Sequence, residues 1–292
     1  MNLSSSKFAS TGRDKVKRSY LLACRYDIES IKPGNVNLLS GHHDSNFNDF
    51  VSSYDVTCEF ISSNNYTLGD RIFNCINETQ SVVKKNTNLG IILLCSLFSQ
   101  ALCIKSDITI RDAIKEVVSK ASGDDVRLLC ESIHNANPAG LGKHNTYDVR
   151  SVSGISLLDL MTISSEYDSI SKQYATSFQD IFEFIIPCLH ESISNIKDTK
   201  LAISYTFLKT LEIHPDSHLR RKYGDKIAKK TSNEASDLIK ILDGDTRHES
   251  WGKNLMSLDN HYKMARVNPG TTADLLVASM MIYDYFIGLP SK

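Results

Sequence analysis

Apolar residues recur at spacings of three and four along most of this 292-residue chain. One clear run contains Phe178, Ile181, Phe182, Ile185 and Leu189, which would share one face of a helix. Strict alternation of apolar and polar residues is rare, and no rhythm of strand, helix and strand is visible. The pattern therefore predicts an all-α protein, organised as one globular multi-helix domain over residues 1–292.

The stretches in which this apolar spacing holds predict twelve helices. They cover residues 8–30, 46–62, 68–83, 89–104, 109–119, 124–135, 156–166, 169–195, 201–213, 219–230, 233–242 and 269–286. The most apolar stretch, "GIILLCSLFSQALCI" at 90–104, is shorter than a membrane span and contains serine and glutamine. It predicts a helix buried in the protein core, and no membrane association is expected.

Composition and charge exclude several classes of protein. Lys and Arg total 33 against 34 Asp and Glu, so no broad basic surface indicates nucleic acid as a partner. The seven cysteines are widely spaced and include no CxxC pair, which favours reduced, buried thiols in a cytoplasmic protein. The N-terminus lacks the continuous apolar core of a secretion signal.

Five polar corners interrupt the helical pattern. They read "KPGNV" at 32–36, "NTNLG" at 86–90, "AGLG" at 139–142, "RRKYG" at 220–224 and "NPGTTADL" at 268–275. Glycine and proline alone would indicate ordinary turns, but these corners also carry or adjoin amide, carboxylate or cationic groups. Any anion that this nearly neutral chain binds must therefore be bound by local geometry.

The last corner has two interpretations. Asn268, Pro269 and Asp274 suit an ordinary helix start, as cap, first helical residue and partner of the helix dipole. The same backbone N–H groups, with the hydroxyls beside them, also suit a phosphate-binding site. The rest of the chain decides between the two.

The five corners, in this order, resemble the triphosphoribosyl-dephospho-CoA synthase family, which makes the prosthetic-group precursor of citrate lyase and malonate decarboxylase. The resemblance implies an all-helical, magnesium-dependent enzyme that takes ATP and dephospho-CoA. It would release adenine and join the triphosphoribosyl group through ribose C1 to the acceptor's 2′-hydroxyl. The chain continues from Thr87 with Asn88, Leu89 and Gly90, where the citrate lyase branch has His-Lys or His-Arg-Gly. It is more similar to the archaeal and methylotroph branch, which leaves a similar nucleotide acceptor open.

Carboxylates at the corners suit this chemistry. Breaking the bond between ribose and adenine develops positive charge on the sugar, and a nearby carboxylate stabilises that charge while a second group accepts the hydroxyl proton. Asp44, Asp148 and Asp274 are the candidates for catalysis and for Mg²⁺ binding. Asp49 also falls beside a corner, but "NFNDFVSS" reads as the exposed face of a helix.

A triphosphate needs cations and backbone N–H groups. Lys32, Arg221 and Lys222 are the candidate cations. The other predicted substrate-binding residues are Gly34, Asn35, His43, Asn86, Asn88, Gly140, Gly142, Asn268, Gly270, Thr271 and Thr272.

Two other functions remain open at this point. A related ribosyl transferase or nucleotide hydrolase would keep the donor and use another acceptor, including water. A non-catalytic helical protein would bind a nucleotide without turning it over. His214 and His218 have the spacing of paired metal ligands, but Pro215 between them and the absence of a third ligand nearby argue against zinc. The long amphipathic helices are compatible with a homodimer.

Overall fold

A computed structural model describes residues 3, 5, 12–39, 41, 46–104, 107–138 and 154–290. Its fourteen α-helices, α1 to α14 in chain order, are Arg13–Glu29, Phe47–Ser62, Leu68–Val82, Leu89–Leu102, Ile110–Lys120, Gly123–Ala136, Leu157–Ser164, Ser169–Ala175, Ile186–Asn195, Thr199–Ile213, Ser217–Tyr223, Asp225–Asp243, Trp251–Met264 and Gly270–Phe286. A π-helical segment, Ile181–Ile185, precedes α9. The prediction of an all-α fold is confirmed.

The prediction of one continuous helix over 169–195 is wrong. Ser177 and Phe178 have φ values of +52° and +60°, in the left-handed region that a helix cannot pass through. The chain therefore forms α8, a break, the π-helical segment and then α9. Apolar spacing runs through this break because Phe178 and Ile181 are still buried, so periodicity alone hides it.

Two further boundaries differ from the sequence prediction. The helix predicted over 219–230 is interrupted at Gly224, where φ is +85°. From Asp225 onward α12 is continuous through Thr231 and Ser232, although the sequence predicted a gap there between helices 219–230 and 233–242. Both hydroxyls donate back to carbonyls one turn earlier, at 2.8 and 3.2 Å, which lets polar residues sit inside the helix. Helix α13, whose buried residues include Trp251 and Leu255, was not predicted from the apolar pattern.

Helices α14 and α4 form the centre of the molecule. Nearly every residue of both is buried, as expected of helices that are apolar on all sides. Helix α14 packs against α1, α4, α10 and the π-helical segment, and α4 packs against α3 and α5. The first turns of α14 and α4 lie together, and the loops that precede them carry two of the five polar corners.

None of the described helices is long and apolar enough to cross a membrane. All seven cysteines are free, and five of them are buried. Burial raises the pKa of thiols such as Cys24 and Cys95, so these side chains act as small apolar residues of the core.

Candidate active site

The start of α14 is the centre of the candidate site. Gly270 N–H donates to the Asn268 carbonyl at 2.8 Å, which turns the chain into the helix. The Asn268 side chain accepts a hydrogen bond of 2.9 Å from the amide of Asn35. The "NPGTTADL" corner is therefore attached directly to the "KPGNV" corner, more than 230 residues earlier in the chain.

The "KPGNV" corner depends on Gly34. Its φ is +84°, and a Cβ atom there would lie 2.4 Å from the Val267 carbonyl oxygen and 3.1 Å from Pro269 Cδ. Only glycine combines this backbone conformation with so close an approach. Gly34 N–H donates to Asp259 on α13 at 2.9 Å, which fixes the corner from the other side.

The "NTNLG" corner lies against Asp274. A Cβ atom on Gly90 would lie 2.2 Å from Asp274 Oδ2 and 2.6 Å from its Cγ, so the carboxylate occupies the space that a side chain would need. Asn88 is buried and donates to Thr79 Oγ1 at 3.2 Å, whereas the Asn86 side chain accepts from Leu89 N–H at 3.3 Å. The glycine thus allows the aspartate to reach the first turn of α4.

The start of α11 supplies the third side of the site. Asp216 caps α11 through Leu219 N–H at 2.9 Å, and its other oxygen accepts from both N–H and Oγ1 of Thr272 at 2.8 Å. Ser217 Oγ lies 3.2 Å from Thr271 Oγ1. The two threonine hydroxyls, predicted to face substrate, are buried and join α14 to α11.

Removal of the Asp216 carboxylate should loosen this junction. We expect Asp216→Ala to lower the free energy of unfolding by about 3 kcal/mol, because a helix cap and two charge-assisted hydrogen bonds are lost together. Urea denaturation measures this directly. The control is Asp198→Ala, which removes only the cap of α10 and should cost about 1 kcal/mol. Equal losses in the two variants would contradict the role of Asp216 as a link between helices.

Arg221 points into the same region. Its guanidinium lies 3.1 Å from Asp168, the N-cap residue of α8, and both side chains are partly exposed. Lys222 is exposed and lies over the ring of Tyr223 at 5.1 Å. Lys32 is fully buried and paired with Asp27, with 3.0 Å between its Nζ and Asp27 Oδ1.

The electrostatics of Asp274 follow from these neighbours. Its side chain is partly exposed, yet removal from bulk water raises the pKa of this carboxyl well above its ordinary value of 3.8. The negative charges of Asp27, Asp216 and Asp168 raise the pKa further, and Arg221 opposes them. A carboxyl group in this position binds a proton more readily than an exposed aspartate does.

His218, next to Ser217 on α11, borders the same group of charges. Burial lowers its pKa, while Asp216 raises it and Arg221 lowers it. His214 lies elsewhere, at the end of α10, and packs edge-on to the Phe184 ring at 5.4 Å between centroids. Within the described part of the chain, no group of three or more His, Cys, Asp or Glu side chains is arranged to hold a metal ion.

Some predicted residues are not tested by this geometry. Asp44, His43, Gly140, Gly142 and Asp148 lie outside the residues that the structure describes, and their roles stay predictions. Asp49 forms a capping box with Asn46 and pairs with Lys85 at 3.0 Å, as an ordinary residue of a helix start.

Sequence reasoning missed Asp27, Asp168 and Asp216 as neighbours of Asp274. Two of them read as ordinary helix caps, and the third lies on the last turn of α1, where its sequence gives no sign of function. One signal was available: "HPDSHLRRKYG" places Asp216 shortly before Arg221 and Lys222.

Fold and site together define a class of protein, an all-helical chain that gathers carboxylates and an arginine around the start of a central helix. The family described as ATP:dephospho-CoA triphosphoribosyl transferase, CitG, matches residues 13–288, nearly the whole chain. The protein therefore belongs to this family, and the resemblance carried by the five corners is confirmed. It is an enzyme, a transferase whose family acts on ATP and dephospho-CoA.

The structural comparison agrees with this assignment at the level of the fold. A crystal structure of a protein from Archaeoglobus fulgidus, described as a candidate triphosphoribosyl-dephospho-CoA synthase, superposes with a TM-score of 0.62 at 18% sequence identity. The match covers 83% of this chain and 100% of that one. No curated protein sequence matches the chain significantly.

Proposed function

We propose that the enzyme moves the triphosphoribosyl group of ATP to the 2′-hydroxyl of 3′-dephospho-CoA, with release of adenine, at the start of α14 around Asp274. The observation that carries the proposal is the meeting of three polar corners, "KPGNV", "NTNLG" and "NPGTTADL", at the start of α14. Gly90 leaves room for Asp274, Asn35 joins the "KPGNV" corner to Asn268, and Thr272 joins α14 to Asp216 at the start of α11. A scaffold would need only the packing faces of these helices.

The reaction exchanges one bond at ribose C1′ for another. The bond from C1′ to adenine breaks and a bond from C1′ to the acceptor oxygen forms. The acceptor hydroxyl loses one proton and the departing adenine gains one. Asp274 beside the ribose would stabilise the positive charge that develops on the sugar. Burial and the neighbouring carboxylates raise the pKa of Asp274, which favours uptake of a proton by this side chain.

The triphosphate would lie where cations and backbone N–H groups are available. Arg221 is partly exposed and can exchange its contact with Asp168 for a bidentate contact with phosphate. Lys222 is exposed on the same short helix, and the predicted glycines Gly140 and Gly142 would let the main chain approach the phosphates. Thr271 and Thr272 support this surface from beneath, through their bonds to α11.

Magnesium is the cation that this chemistry favours. The oxygen donors around Asp274 are of the type that Mg²⁺ prefers, and Asp44 and Asp148 are the other predicted ligands. A bound Mg²⁺ would neutralise charge on the triphosphate. In this proposal, phosphate oxygens of the substrate would supply further ligands to the ion.

Adenine release from ATP tests the proposed reaction. We expect the purified protein with Mg²⁺ to release adenine when dephospho-CoA is present, and the acceptor to gain the mass of a triphosphoribosyl group. Release without dephospho-CoA would show that another acceptor, or water, takes the sugar. Binding of ATP without any adenine would contradict the proposal and favour a non-catalytic nucleotide-binding role.

We also propose that the protein is cytoplasmic and that it forms a homodimer, in which the long helices of two copies would pair. Free, buried thiols such as Cys24 and Cys75 are compatible with a reducing compartment. Light scattering of the purified protein measures the number of subunits.

A further inference from the structure

A buried ion pair lies behind the "KPGNV" corner. The side chain of Lys32 has no exposed surface, and its Nζ lies 3.0 Å from Asp27 Oδ1. The same ammonium also donates to the backbone carbonyl of Asp27 at the end of α1. Lys32 therefore faces the interior of the protein, away from any phosphate in solvent.

The ion pair adjoins the candidate site, because Lys32 belongs to the corner whose Asn35 donates to Asn268 at the start of α14. Among the charged neighbours of Asp274, Asp27 has the largest effect on that carboxyl. On the other side, the charge of Lys32 reaches Lys263, which pairs with Asp259 at 2.8 Å. Two ion pairs, Asp27 with Lys32 and Lys263 with Asp259, thus lie close to each other, and Asp259 also accepts from Gly34 N–H.

We propose that Asp27 and Lys32 are positioning residues of the transferase: Lys32 neutralises Asp27 beside Asp274 and holds the "KPGNV" corner, without contacting substrate. The inference rests on the proposed function. Its physical basis is the cost of separating the pair, since Lys32 could reach a phosphate only by leaving Asp27 buried without its counter-ion. Removal of one partner should therefore be far more harmful than removal of both.

A cycle of three variants tests this inference: Asp27→Asn, Lys32→Met and the double variant. Each single variant should lower Tm by about 6–20 °C, because an unpaired charge is left in the interior. Each should also lower kcat for adenine release by about 10- to 100-fold, because the site is displaced. The double variant should recover most of both losses, and its KM for ATP should stay within about twofold of the unchanged protein, since no phosphate contact is lost.

The pair formed by Arg25 and Glu29 is the matched control. It lies on the same helix with 2.6 Å between Arg25 Nε and Glu29 Oε1, but the arginine is largely exposed. The cycle of Arg25→Met and Glu29→Gln should show little coupling, because the arginine is in contact with water and Glu29 has Lys200 as a second partner.

Two results would overturn the inference in a protein that releases adenine. A KM for ATP raised about tenfold in both Lys32→Met and the double variant would make Lys32 a phosphate ligand. Additive losses of Tm and kcat, with no recovery in the double variant, would show that the two residues act independently. Absence of adenine release by the unchanged protein is a different failure: it overturns the proposed function, and the positioning role with it.

Discussion

Asp274→Asn should lower the rate of adenine release by about 10²- to 10⁴-fold while the protein stays folded. The amide keeps the size of the carboxyl group but cannot carry the charge that stabilises the ribose or accept a proton. The space over Gly90 stays filled, so packing at the start of α4 is retained. Single-turnover release of adenine at saturating ATP and dephospho-CoA measures the effect.

The direction in which Asp274→Asn changes stability follows from the pKa of Asp274. Because the folded protein raises the pKa of Asp274, its charged form is disfavoured, and stability falls as pH rises from about 4 to the folded pKa. The variant lacks this loss, so at neutral pH in metal-free buffer it should be at least as stable as the unchanged protein. Unfolding of the variant, or full activity, would show that the site has been placed wrongly.

Exposed aspartates provide the control for this experiment. Asp225, in the first turn of α12, pairs with Arg220, and its side chain is 86% exposed. Asp225→Asn makes the same chemical change at a helix start and should leave adenine release within about twofold of normal, because surface ion pairs contribute little.

Gly90→Ala should lower kcat about 100-fold with little loss of stability. The new Cβ would lie 2.2 Å from Asp274 Oδ2, so the carboxylate must rotate away from its place. Displacement of a reacting group by about 1 Å can cost about 100-fold in rate. Alanine also favours the helix over glycine by about 1 kcal/mol, which offsets much of the cost of moving the side chain. Adenine release and urea denaturation on the same samples separate the two effects.

Gly252→Ala is the matched control for this variant. Gly252 lies in the first turn of α13, and a Cβ atom there would meet nothing within 4 Å. This variant should gain up to about 1 kcal/mol of stability and keep its activity. If Gly90→Ala behaved in the same way, Asp274 would not need its contact with the start of α4.

Only some residues of the candidate site could be predicted from the sequence. Lys32, Asn86 and Asp274 stand in recognisable corners, and the structure brings those corners together around the start of α14. Asp168 and Asp216 could not be selected in this way, because an aspartate before a helix is an ordinary cap in any protein. What separates these two aspartates from ordinary caps is the second helix start that each of them faces. That second helix start is set by the packing of the helices.

Periodicity by itself determined the all-helical fold, because spacings of three and four bury one face of a helix whatever its neighbours are. The five corners determined the family, because glycine, proline and amide side chains at fixed positions report local backbone geometry. Only the tertiary structure decided that Lys32 faces Asp27 and that Thr272 is used by Asp216. Asp216 and Thr272 are 56 positions apart, at the starts of α11 and α14, which packing brings together, whereas Lys32 lies in the loop after α1 and turns back onto the last turn of that helix. Sequence spacing fixes neither the distance between two helix starts nor the direction in which a charged side chain is buried.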